Sequence, residues 1–586
     1  MPMRSRFRIG LLAACAGLVL SPLAEAQVRA AGARSFRPMG PCSTARPPGS
    51  AHDASRRSGD KADATAKTAK PKDDDASSGG VTKGPGSEGD FDWELWWYHN
   101  LDRYLSFAKS QDESVGPRSF ADTRREIAAV LRDAIQDPDS RVVESAIVAL
   151  GKVAGEDDLP VFDGLISEPP HGNQVATVLA LGHTKLAAAG ERLKKMLAAP
   201  DAHPEIRANA ALALGLVGDP AALPALVAAA QAGSVASDVL VASYLSIGLL
   251  GGETALSFLS GRLADSSALP LARSYAALAL GKTGDPAAGK SLLEALSTET
   301  DKDVRSSIVI ALGALGLASR REGAPALGPV RDHACLTLAR VLDGDKDFVT
   351  RCLSTFSLGQ LNGSGARSAL QRAAKGGDPD LRCSALLALG LTGESSAIVA
   401  LRPFLKDSSN GGAIGAAAAI GLALVGDPRE AVAVLAAFKA EERSEPRGYL
   451  ALALGLLRSR DAVPSLAYFA KSSANPPLAR ASLLALAMLG SEESLELIRS
   501  RATDSSDQGL AVEAIRTLGE AARPSDVPLL VSVLRREGTS WNERMSAVQA
   551  LGRIGETGRA APLSRVYEGN NFLLDVRLLV NAFAHL

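Results

Sequence analysis

The chain has 586 residues, 46% of them hydrophobic but only 4% aromatic, and a formal charge of −1. That length exceeds what one compact core usually holds, and so few aromatics exclude a bulky ligand-enclosing interior in favour of Ala, Leu and Val in close-packed helices. The leader (1–26) and the segment after it carry +2 and +3, so the remainder holds about −6, which excludes the cationic surface that grips a phosphate backbone; no nucleic-acid partner is expected.

Residues 1–26 read as an export signal, with Arg4, Arg6 and Arg8 ahead of an apolar stretch from Ile9 to Leu20 and the small-residue exit Ala24-Glu25-Ala26. Leu12-Ala13-Ala14-Cys15 also reads as a bacterial lipobox, making Cys15 a lipidation candidate, although the apolar run continues well past it. An uncleaved anchor is the remaining alternative. The expected location is exported: periplasmic, secreted or envelope-tethered, with membrane contact only through a lipid on Cys15 or such an anchor. Cys42, Cys335, Cys352 and Cys383 are too few for a disulfide framework, and Cys352 and Cys383 read as small buried thiols.

Residues 27–90 are rich in Ala, Ser, Gly, Pro and mixed charge with no hydrophobic period, a disordered linker spanning about 40 Å as a flexible coil. At 91–119 comes an aromatic head, with Trp93, Trp96, Trp97 and Asn100 on one helical face. It reads as an N-terminal cap over the open end of a repeat region that begins at residue 120, or as an aromatic platform for a peptide or glycan.

From 120 to 586 one unit repeats. Leu-Gly or Ile-Gly closes an alanine-rich run at Gly151, Gly182, Gly215, Gly248, Gly281, Gly313, Gly359, Gly390, Gly421, Gly455, Gly490, Gly519 and Gly552. A period near 33 indicates a solenoid. Gly218-Asp219-Pro220, Gly284-Asp285-Pro286 and Gly426-Asp427-Pro428 open first helices, with aspartate as cap and proline in the first turn. The repeated glycine is expected to end each second helix in a left-handed conformation. Five residues before it, in eleven of the thirteen units, stands a small side chain that lets helices approach. Eight before it lies an arginine column: Arg207, Arg273, Arg305, Arg351, Arg382, Arg447 and Arg544. Nearby acids make this a structural ladder rather than a polyanion track.

These elements resemble HEAT repeats, and the short period with its D-x-V-R, A-L-G and G-D-P motifs looks most like the class named after phycobilisome lyases. The tryptophan head resembles one found before the repeats in some exported bacterial members. The resemblance implies an all-α, right-handed α-solenoid of about thirteen to fourteen two-helix units. Its contour is about 120 Å, with the second helices lining the inner surface. Tyr275 and Tyr449, six before their glycines, are then partner contacts or core. An insertion near Gly316 to Gly328 presents Arg320, Arg321 and Glu322 as a surface loop or partner contact. At the C-terminus, Val576 to Phe583 repeats the second-helix pattern without a polar capping unit. Leu578, Leu579, Val580 and Phe583 are therefore an apolar end for self-association, or a fraying terminus.

The histidines are scattered and none is followed by Glu, as the HEAT-like metal hydroxylases require; His183 and His203 read as solvated turn residues. There is no H-E-x-x-H, Cys-x-x-Cys or phosphate loop, so no catalytic, cofactor or metal residue is assigned. The expected function is a non-enzymatic protein-interaction scaffold of the cell envelope whose partner is a protein. The alternatives are an envelope glycan- or peptide-binding protein using the head and, third, a HEAT-like enzyme such as a lyase.

Overall fold

The computed structural model describes residues 93–105, 107, 120–232, 237–321, 323–472, 474–504, 506–556 and 574. The leader, the linker, Cys15, Cys42, Glu322 and the C-terminal residues Leu578 to Phe583 lie outside them. Among the described residues the chain is helical throughout, and no single helix is long and apolar enough to cross a membrane.

The helices pair into thirteen units, from Phe120–Ala134 with Ser140–Val153 to Val527–Arg535 with Trp541–Gly555. Their boundaries follow the local chemistry. Asp219, Asp285 and Asp427 accept from the backbone N–H two residues on, at 2.9, 2.8 and 3.0 Å. The glycines ahead of them, Gly218, Gly284 and Gly426, are the left-handed stops, with φ of 77°, 73° and 81°. Gly-Asp-Pro is thus a stop and a start in three residues.

The repeated glycine does something else. Twelve of the thirteen lie inside their helices, which run past them, and only Gly490 is a left-handed cap. Its expected role as a helix terminator is therefore corrected, and the reason is packing. A Cβ at Gly182 stands 2.8 Å from the Ala213 Cα, and one at Gly519 stands 2.8 Å from the Ala550 Cα. In both cases the neighbour is the residue two before the next unit's glycine. Glycine lets one second helix press against the backbone of the next. A side chain there forces the helices apart, in a core that has no room to give.

Each second helix packs on those before and after it, and the last, Trp541–Gly555, packs on the first, Ser140–Val153. The register is unchanged: a Cβ at Gly552 stands 2.8 Å from Ala149, two before Gly151. The solenoid therefore closes into a ring. The expected 120 Å open contour is instead a circumference, and neither end of the stack is free for a cap. Helix Phe120–Ala134 leans on both sides of the seam.

Candidate functional site

The arginine column sits where each second helix passes the C-terminus of its own first helix. Arg207 Nε donates to the Leu197 carbonyl at 3.2 Å, Arg351 Nε to Leu342 at 2.9 Å, and Arg382 Nε to Ala374 at 3.3 Å. A cation here satisfies carbonyls that a helix end leaves unpaired and faces the negative end of the dipole. Arg382 and two further members of the column then reach the acid in the following unit's link. Arg273 pairs with Glu299, Arg305 with Asp345, and Arg382 with Asp407 at 3.0 Å. At the seam, Arg544 holds Asp137 through two bonds, 2.9 and 3.1 Å, across 407 residues of sequence. Arg447 departs from the pattern and lies over the Phe469 ring at 5.1 Å. The seam adds one contact of its own: the Arg141 guanidinium sits 3.4 Å above the Trp541 ring while its nitrogens hold Asp139.

The two faces of a second helix separate by register. Tyr244, four before Gly248, meets Phe258 of the following unit's first helix, so that side of a second helix faces the first helices and positions three and six before the glycine point to the inner side of the ring. Phe356 and Tyr449 stand at such positions, and the head lies on them. Trp96 stacks on Phe356 with ring centres 4.1 Å apart, Trp93 meets Tyr449 at 5.1 Å, and Trp97 stacks on Tyr104 at 5.8 Å. The head helix, Trp93–Asn100, also packs on helix Pro379–Leu391.

This corrects the reading of the head as a cap over the first unit: closure leaves that end covered by the last unit, and the aromatic surface that matches three tryptophans is on the inner wall. Trp93 and Trp97 are each 1% exposed, so they form no open platform. Tyr275 and Tyr449 are buried as well, and neither is a surface contact. Burial pushes the Tyr275 hydroxyl well above the usual phenol range.

The next sector of the inner wall is charged. Arg480 and Arg516 share Glu513 at 2.5 and 3.4 Å, and Arg553 holds Glu520 at 2.5 Å. Lys152, beside the seam glycine Gly151, is buried near Glu520, Arg553 and Glu556, and burial pulls its ammonium below the usual lysine range. These positions were not singled out in the sequence. The signal was available for two of them: Glu513 and Arg516 stand six and three before Gly519, inward register positions where most other units have Leu, Ala or Ser.

The insertion splits in two. Helix Lys302–Ala318 runs through Gly316, and Arg320 turns back to donate to the Gln360 carbonyl at 2.5 Å, leaving Arg321 exposed. Cys335, Cys352 and Cys383 are buried thiols that form no disulfide with one another. His183 is buried within helix His171–Thr184 rather than solvated in a turn, because that helix continues past Gly182. His203 is exposed at the start of helix Pro204–Val217, and there it meets His171.

Residues 163–240, 190–273, 236–313, 335–423, 369–448 and 431–511 match the family of HEAT repeats, together more than half of the chain. No curated protein matches the sequence. Among solved structures, human deoxyhypusine hydroxylase is 22% identical with a TM-score of 0.22, over 46% of this chain and 96% of that one. The CpcE–CpcF complex of phycocyanin lyase from Nostoc is 20% identical with a TM-score of 0.29, over 46% and 94%. Importin beta is 12% identical with a TM-score of 0.37, over 74% and 66%. At these values the likeness lends no activity to this chain.

Proposed function

Because the chain belongs to the HEAT-repeat family, we propose that it is a non-enzymatic protein-interaction scaffold, exported and held at the cell envelope, that works as a closed ring. The observation that carries this reading is a row of exposed apolar residues on three successive first helices. Val399 in Ala397–Leu401, Val432 in Ala431–Ala440 and Tyr468 in Val463–Ala470 are 78, 74 and 71% exposed. Scattered single apolar residues need no explanation, but a row across neighbouring units of a rigid body suits a protein partner. With the inner wall occupied by the head, binding moves to the outer helices. Export rests on the leader pattern, and tethering on Cys15 or an uncleaved anchor.

In-cell crosslinking with mass spectrometry on the full-length protein tests both parts. The expected result is one reproducible protein partner crosslinked near the row, through Lys406, Lys439 and Lys471, and a mature N-terminal peptide beginning at Gln27 or at a lipidated Cys15. Crosslinks confined to the chain itself overturn the scaffold. An N-terminus retained at Met1 in a cytoplasmic fraction overturns export.

A further inference from the structure

His171 and His203 are 32 residues apart in sequence and stand at equivalent places in adjacent units. His171 is the first residue of helix His171–Thr184, and His203 caps helix Pro204–Val217, whose second residue is Glu205. The tight Gly182–Ala213 contact fixes these two helices side by side, so their N-termini arrive together. The rings meet edge to face with centres 4.6 Å apart, and His171 Nε2 lies 3.0 Å from Glu205 Oε2. One ligand atom from each of the three residues lies within 4.8 Å of the others.

We infer that His171, His203 and Glu205 form a binding site for a divalent zinc-like ion that clips the second and third units together on the rim of the ring. Two imidazoles and one carboxylate suit Zn²⁺ and its late first-row neighbours, whereas Mg²⁺ and Ca²⁺ take oxygen ligands. Zinc bonds of roughly 2.0 to 2.2 Å at tetrahedral angles put ligand atoms about 3.4 Å apart. The three side chains reach that spacing by small rotations, since both histidines are exposed and Glu205 partly so. The ion replaces the direct His171–Glu205 contact with a bridge and leaves an open position to water or to an outside ligand. His203 also accepts from the Glu205 N–H through Nδ1 at 3.3 Å, a long bond whose loss costs little beside a metal–nitrogen bond. Nothing in the scaffold reading requires this site.

The test is equilibrium dialysis of the chelator-stripped full-length protein against Zn²⁺ in excess Mg²⁺, beside the variant H171A/H203N. Asn at 203 keeps the helix cap while removing the ring, so this variant stays folded, which circular dichroism checks. The expected result is one more zinc per chain bound to the wild type than to the variant. The extra zinc shows two imidazole ligands by X-ray absorption, Glu205→Gln weakens it at least tenfold, and saturating zinc raises the melting temperature only with both histidines present. Equal zinc in wild type and variant, or displacement of the extra ion by Mg²⁺, overturns the site and leaves His171–Glu205 a plain hydrogen-bonded contact.

Discussion

The seam between the Gly552 and Gly151 helices and the junction between the Gly248 and Gly281 helices are the same interface made under different terms. Both press a glycine against the residue two before the partner's glycine, Ala149 in one case and Ala279 in the other. The seam also seats an arginine of one unit on the acid of another, Arg544 on Asp137, as the internal junction between the Gly281 and Gly313 helices does with Arg273 on Glu299. The internal junction is joined by a short stretch of chain, whereas the seam joins groups 407 residues apart. Closure by thirteen equal steps needs about 28° of rotation per unit, set at each step by nearest-neighbour contacts. The ring is thus the sum of a local angle, and the seam, having no covalent link, is where an error in that sum appears.

The strongest way to separate the two is to place a side chain in each. Gly248→Val is expected to cost about 3 kcal/mol or more, read as a lower denaturation midpoint, because the Ala279 backbone stands within the new side chain's volume. Gly552→Val meets Ala149 in the same way but has an escape. The ring opens, the maximum dimension in small-angle scattering grows, and the other junctions keep most of the stability. A Gly552→Val protein with the wild-type scattering curve sinks the closed ring.

Removing the ladder arginines is expected to have the next largest effect. Arg273→Ala and Arg544→Ala each leave a mostly buried carboxylate, Glu299 or Asp137, at a cost of about 1–2 kcal/mol. Only Arg544→Ala should speed hydrogen exchange in helix Trp541–Gly555. Equal exchange in the two variants removes the distinction between seam and junction. Trp541→Ala takes away the ring beneath Arg141 and should weaken the seam by about 1 kcal/mol, seen as a raised population of the open form in scattering at moderate denaturant.

The smallest expected effect is that of acid. The Arg141 side chain and backbone hold the Asp139 carboxyl below its ordinary value. A depressed carboxylate stabilises the fold fully above the unfolded pKa, near pH 4, and that contribution is lost as the pH falls through the folded value. The seam is therefore expected to loosen below about pH 4, and Asp139→Asn should flatten this dependence. A seam equally tight in both proteins at pH 3 assigns Asp139 no part in closure.

What was legible in the sequence had a range of one unit. The glycine period marked thirteen second helices, and the Gly-Asp-Pro triplets marked stops and starts, because capping is settled by residues two or three apart. The arginine-to-acid pairing was visible for the same reason. The histidine cluster stood at the edge of legibility. His171 and His203 lie eleven and twelve residues before their glycines, a coincidence of register that only matters once the helices are known to touch.

By itself, then, the sequence determined an all-helical stack of two-helix HEAT units, because helix periodicity, caps and small-residue contacts act between near neighbours. Only the tertiary structure decided that the stack closes, that its repeated glycines are contact points rather than helix ends, and that the tryptophan head lies on Phe356 and Tyr449. Each of these depends on a rotation summed over thirteen units or on a surface that exists only after the sum is complete, and no window of sequence contains either.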